Sequence, residues 1–351
     1  MRLPELPPEL WQRILQLALP PTTSRLAPDG DPTWNARAET LRACSLVCST
    51  WRDIAQRLLL SCALVGEKAL PLFLNTVAAS PDLARSVRVL KLYGGHRDTQ
   101  EEWGARVETL LPYLAGLREL CLTRVGELDL AVLRLAPQLE RLHCWGSGVD
   151  LSVSPPFTLS SLRELSICGT VFKPSTMPFF SVASLPNLRA AAICYTRSTL
   201  TGDSTNSHLL DSHPSSLFVL ATSTPRSSLP SCSTAPHTVY TLRQEALDWS
   251  ESPLGTSCGA GDGIEHLHLT DLHDVPPGDM LASLRCDTSL QRLKTLYLTR
   301  PGEKWVEEED LARYTAEGKR RGIEIVWLQQ REFMEESLFA PEMLDRHVAQ
   351  A

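Results

Sequence analysis

Between residues 87 and 328 a short phrase recurs with apolar residues at its first, fourth and sixth positions. Clear copies are VRVLKL (87–92), LRELCL (117–122), LERLHC (139–144), LRELSI (162–167) and LRAAAI (188–193). IEHLHL (264–269), LKTLYL (293–298) and IEIVWL (323–328) repeat it later, and LFVLAT (217–222) is a weaker copy. The alternating tail of each phrase predicts a short strand. VETLLPYLAG, LAVLRLAP and EEDLARYTAEGKRRG, each ahead of a phrase, space their apolar residues by three or four, which predicts helices. The last ends in Lys, Arg and Gly, residues that favour a helix terminus.

The first sixty residues carry a helical period instead. In LPPELWQRILQLAL (6–19), Leu10, Ile14 and Leu17 recur at i, i+4 and i+7, with Trp11, Leu15 and Ala18 beside them. Pro7 and Pro8 suit a helix entry, where a missing N–H costs nothing, and Pro20 and Pro21 stop the helix. Glu9 complements the positive end of the helix dipole. Further on, Leu41, Cys44, Cys48, Trp51 and Ala55 fall at i, i+3, i+7, i+10 and i+14, one apolar stripe on a second helix. Two thiolates on one helix supply half a zinc site at most, so these cysteines read as small hydrophobes.

These N-terminal residues resemble the F-box family. Leu6, Pro7, Glu9, Leu10, Ile14 and Leu15 match its Leu-Pro-x-Glu-Leu opening and Ile-Leu pair. Leu41, Cys44, Val47, Cys48 and Trp51 match its Leu-x-x-Cys-x-x-Val-Cys-x-x-Trp helix. The likeness covers about 55 residues and departs from the family in a longer connection, 20–38, expected as a surface loop because Pro, Thr and Asp crowd it. It implies that Leu6, Pro7, Leu10, Ile14, Leu15, Leu41, Cys44, Val47, Cys48 and Trp51 contact the Skp adaptor of cullin–RING ubiquitin ligases.

The phrases start 22 to 30 residues apart where the repeat is clear, a period typical of leucine-rich repeats. One such unit cannot bury its apolar side alone, so successive units must stack into a solenoid. The expected fold is therefore α/β: short all-α F-box helices, then an irregular leucine-rich-repeat-type solenoid with parallel strands on its concave face. Its organisation is an F-box over 1–62, repeats over 63–197, an insertion over 198–263 and further repeats over 264–351. Ser, Thr and Pro dominate the insertion, which is expected as long, partly disordered loops. With the first, fourth and sixth positions turned to the core, the third and fifth positions and the residue after the phrase project together. That nominates Lys91, Tyr93, Arg141, His143, Trp145, His266, His268, Tyr297 and Trp327 as a surface for a protein target.

Composition narrows the function. A net charge of −7 over 351 residues and a pI near 5.8 offer no basic footprint for nucleic acid or anionic lipid. No apolar run reaches the roughly 18 residues of a membrane span. Pro and Glu interrupt the N-terminus where a signal peptide needs an apolar core, so a cytosolic or nuclear location is expected. Ten cysteines without one C-x-x-C pair fit free thiols in a reducing compartment. GAGDG (259–263) follows a polar stretch and runs into a strand, so it reads as a turn and not as a phosphate loop. His266 and His268 share a strand face without an identifiable third ligand. No catalytic residue, metal or cofactor is expected, and the function implied is that of a non-catalytic substrate receptor. A scaffold that has lost the adaptor is the alternative.

Overall fold

The computed structural model describes residues 7–19, 32–94, 100–125, 128–146, 148–150, 157–168, 171–172, 184–194, 197–198, 219–222, 239–243, 265–270, 293–300 and 308–329. Among them no helix is long and apolar enough to cross a membrane. The chain divides into two compact units, Met1–Leu142 and His143–Ala351, and both mix helices with parallel strands.

The first unit opens with helices α1 (Pro8–Ala18), α2 (Pro32–Ser45) and α3 (Ser49–Ser61). Pro8 sits in the first turn of α1, and the carbonyl of Pro7 accepts hydrogen bonds from the N–H groups of Leu10 and Trp11 at 3.0 and 3.3 Å. Residues 32–38, expected as loop, belong to α2; residues 20–31 lie outside the described residues. The single stripe expected through Leu41 and Trp51 is broken. Backbone bonds from Leu46 N to Ala43 O and from Val47 N to Cys44 O turn the chain, and Cys48 adopts an extended conformation as the N-cap of α3.

Strand β1 (Cys62–Gly66) follows α3 directly, and helices α4 (Leu70–Ala79) and α5 (Pro81–Ser86) lead to β2 (Val89–Tyr93). Helix α6 (Gln100–Leu110) and a 3₁₀ turn precede β3 (Glu119–Thr123), short strand β4 (Leu128–Asp129) and a second 3₁₀ segment, Leu130–Leu135. The carboxylate of Asp129 caps that segment by accepting from Ala131 N at 2.8 Å. Strand β5 (Arg141–Trp145) begins at the end of the unit. β1, β2 and β3 pair in parallel, with Ala63, Leu90 and Leu120 in one row and Leu64, Lys91 and Cys121 in the next.

The second unit holds β7 (Glu164–Cys168), β9 (Ala190–Cys194), β11 (Val219–Thr222), β12 (Val239–Arg243), β13 (His266–Thr270), β14 (Thr295–Arg300) and β15 (Glu324–Gln329), paired in parallel in that order. β6 (Gly148–Asp150), β8 (Val171–Phe172) and β10 (Arg197–Ser198) form a second short ladder. Helix α7 (Glu308–Arg321) precedes β15. Strands β11 and β12 fall inside the segment expected to be an insertion, and both pair in register with their neighbours. The rest of 198–263 lies outside the described residues.

The recurring phrase governs burial in both units. Val87, Leu90 and Leu92 are fully buried, as are Leu117, Leu120 and Leu122. Leu162, Leu165 and Ile167 repeat the pattern in the second unit, followed by Leu293, Leu296 and Leu298. A shared hydrogen-bond device accompanies it: the carbonyl of the second phrase residue takes two N–H groups from the next phrase. Arg88 O accepts from Arg118 and Glu119, and Arg118 O from Glu140 and Arg141. Arg163 O accepts from Arg189 and Ala190, and Glu265 O from Lys294 and Thr295. Second-position side chains also pair across neighbouring phrases, Arg118 with Glu140 at 3.5 Å and Lys294 with Glu265 at 2.7 Å.

Candidate functional site

Helix α1 presents apolar residues on two adjoining faces, and only one of them is covered. Leu15 and Leu19 join Leu41, Ile54, Ala55 and Leu58 in a buried cluster, with Trp11, Cys44, Trp51 and Leu59 packed against it. Trp11 and Trp51 stack with ring centroids 5.3 Å apart, a favourable tilted geometry. On the neighbouring face Leu10, Ile14 and Leu17 remain 50%, 44% and 71% exposed. The α2–α3 turn adds Leu46 and Val47, 81% and 58% exposed, and Cys48 is exposed beside them in sequence. Five large apolar side chains are thus exposed on α1 and on the α2–α3 turn. Burying each of the five against a partner contributes on the order of 1–2 kcal/mol gross, given that they are already partly covered.

The residues expected to meet the adaptor therefore separate by role. Leu10, Ile14, Val47 and Cys48 face solvent, and Pro7 is exposed while setting the helix entry. Leu15 and Leu41 are corrected to core positions, because their helices pack on one another through them. Cys44 and Trp51 are half-buried against that core. Leu6 lies outside the described residues. Leu17 and Leu46 are exposed as well and were not among the nominated residues, although Leu17 completes the Leu10–Ile14 spacing.

The nominated sheet face also needs correction. Lys91 and Tyr297 are each only 1% exposed, and His143 is buried too. The physical reason is that these mid-strand positions have a paired strand on either side, about 4.8 Å away, whose side chains crowd them. Lys91 lies in register between Leu64 and Cys121, and Tyr297 between His268 and Val326. His143 sits mid-strand between the buried Leu142 and Cys144. Tyr93, Arg141, Trp145 and His266 are half-buried, and the side chain of His268 lies outside the described residues.

Trp327 is misplaced by one residue. The register sets Ile325 and Trp327 opposite Leu296 and Leu298, which face the core. Trp327 thus meets Tyr314 of α7 edge-on at 5.7 Å, because the phrase in β15 is slipped by one residue against the phrase in β14.

Charge is concentrated under the sheet face of the first unit. The buried Glu119 carboxylate accepts a hydrogen bond from the Arg141 guanidinium. Burial pushes the Cys62 thiol up to about 12, with Lys91 and Arg37 pulling it down and Glu119 raising it further. Burial lowers the Arg37 pKa, and its charge acts back on Cys62, so a residue of α2 shares the surroundings of the first strand. Such thiols are held protonated and unreactive at neutral pH.

No family model matches the chain, and no curated protein matches it.

Proposed function

We propose that the chain is an F-box protein acting as the substrate-recognition subunit of an SCF-type ubiquitin ligase. Helices α1–α3 dock on the Skp adaptor, and through it on a cullin–RING complex. The strands and helices that follow form a leucine-rich-repeat-type solenoid that holds a protein target. The chain supplies no catalytic group. It raises the effective concentration of target lysines beside a charged conjugating enzyme, where proximity accelerates transfer.

The observation that carries this reading is the divided face of α1. Trp11, Leu15 and Leu19 anchor the three helices, while Leu10, Ile14 and Leu17 stay exposed with Leu46 and Val47. The F-box-like motif supplies Leu10, Ile14 and Val47, so resemblance and exposure coincide at these positions. The repeated burial of phrase positions and the recurring bond to the second-position carbonyl support the solenoid part.

Co-expression with the Skp adaptor and size-exclusion chromatography test the proposal. Leu10→Asp and Val47→Asp place a charge on exposed positions and are expected to abolish the complex while leaving the helices folded. Trp51→Asp is unsuitable, because Trp51 stacks on Trp11 and supports the core. A folded wild-type chain that forms no complex would leave a repeat scaffold without a ligase role.

A further inference from the structure

Glu119 and Cys121 stand two residues apart in β3, so their side chains leave the same face of the strand. The start of β5 is anchored on β3: Arg118 O accepts from the N–H groups of Glu140 and Arg141, and the Arg141 guanidinium donates to Glu119. His143 follows Arg141 by two residues in β5, which puts it on the same face as Arg141 and level with Cys121. Three ligand atoms, an oxygen, a sulfur and a nitrogen, therefore all lie within 4.8 Å of one another. Among the described residues no other three metal-ligating side chains converge in this way. All three are buried, with exposures of 2%, 3% and 5%.

A zinc ion takes these same ligand types, at about 2.0–2.2 Å for oxygen, 2.0–2.1 Å for nitrogen and 2.3 Å for sulfur. At a tetrahedral angle those lengths set oxygen and sulfur about 3.5 Å apart. Cys121 Sγ donates to Glu119 Oε1 at 3.9 Å, close to that spacing. Glu119 accepts from Arg141 through its other oxygen, Oε2, so the guanidinium holds the carboxylate from behind, as outer partners of metal ligands do. The donor set also selects the metal. Magnesium and calcium need shells made mainly of oxygen, and this group offers one carboxylate beside a thiol and an imidazole. Charge balances too, because Glu119 and a Cys121 thiolate offset the two charges of zinc while a neutral His143 adds none. Lys91, in register with Cys121 and 1% exposed, is the neighbouring cation that opposes binding.

We propose that Glu119, Cys121 and His143 form a zinc site that ties β3 to β5, with a water as the fourth ligand. On binding, Cys121 loses its thiol proton to solvent. Lone pairs of its sulfur, of Glu119 Oε1 and of a His143 ring nitrogen bond to the ion, and all but one of the ion's waters leave. No electron is transferred. The ion binds the folded strands and not the unfolded chain, so its binding energy stabilises them. The site uses no residue of α1–α3 and stands whether or not the chain docks on an adaptor.

The test uses the full chain, stripped with a chelator and then dialysed against buffered zinc. Elemental analysis should find a zinc that Cys121→Ser and His143→Gln each lose. Cobalt in its place should give a thiolate-to-metal charge-transfer band in the near ultraviolet, absent from Cys121→Ser. His143→Cys exchanges one ligand type for another, so it should keep the metal and strengthen that band, a gain that misfolding does not produce. Amide exchange in β3 should slow by up to about 100-fold at zinc roughly 100 times its Kd, and zinc should not slow it in Cys121→Ser. A folded wild-type chain that retains no zinc, a cobalt complex without the band, or zinc-dependent protection undiminished in Cys121→Ser would overturn the proposal.

Discussion

Leu15 and Leu17 of α1 are two residues apart, yet they belong to opposite economies of the same helix. Leu15 is buried in the three-helix cluster, and Leu17 is exposed. Truncating Leu15 to Ala removes three carbons, worth about 2–2.5 kcal/mol of transfer free energy at ~0.8 kcal/mol per methylene. A residual cavity adds to this, because Ile54, Ala55 and Leu58 are held on their own helix and close the gap only in part. The sum is about 3 kcal/mol, inside the range for buried leucines. Leu17→Ala should change stability by less than about 0.5 kcal/mol.

Amide hydrogen exchange on peptides from α1 and α3 reads this directly, because it reports local opening even in a chain of more than one unit. Leu15→Ala should speed exchange of these amides on the order of 100-fold, since each 1.4 kcal/mol is a factor of ten. Leu17→Ala should alter it less than about threefold by the same conversion. In the adaptor assay the order should reverse, with Leu17→Asp losing the complex at unchanged protection. Equal acceleration by the two alanine variants would refute the division of α1 into a packed and a free face.

Five further outcomes follow from the first unit and the buried thiols. Glu119→Ala should destabilise the first unit by about 2–4 kcal/mol in urea unfolding, because it leaves Arg141 without its carboxylate; the range sits low because the arginine is partly exposed. Gly94→Ala should be more disruptive than its size implies: a Cβ there would lie 1.7 Å from the carbonyl oxygen of Arg124. Arg124 itself has φ of 54°, so Arg124→Gly should stabilise by up to about 1 kcal/mol in the same assay. The raised thiols of Cys62 and Cys144, both pushed up to about 12 by burial, should make the fold sensitive to alkali. Both stay protonated when folded but ionise near 9 when unfolded, so stability is complete below pH 9 and falls as pH rises toward 12. A urea midpoint that is flat from pH 8.5 to 10.5 would contradict this. In native alkylation at pH 8, Cys48 should be labelled before Cys62, Cys121 and Cys144.

The sequence alone determined the repeating core. Leu90, Leu120, Leu142 and Leu165 occupy the fourth phrase position and are buried, because an apolar residue with period-two neighbours has one way to leave water in a stacked strand. It also determined that α1 carries more apolar surface than three short helices can cover. Tertiary structure decided which half of that surface is free, since periodicity places Leu10, Ile14 and Leu17 beside Trp11, Leu15 and Leu19 without ranking them. It decided the break at residues 46–48, where two turn hydrogen bonds end a pattern that spacing alone continues. Strands β1 and β12 were not legible as phrases because Ala63 and Tyr240 stand at the fourth position, opposite Leu90 and Leu267 of their neighbours, and pairing makes them strands. The inner sheet face was misread at Lys91 and Tyr297 for the same reason. Alternation along a strand says which residues share a face, but whether that face meets water depends on register partners and packing contributed by distant parts of the chain.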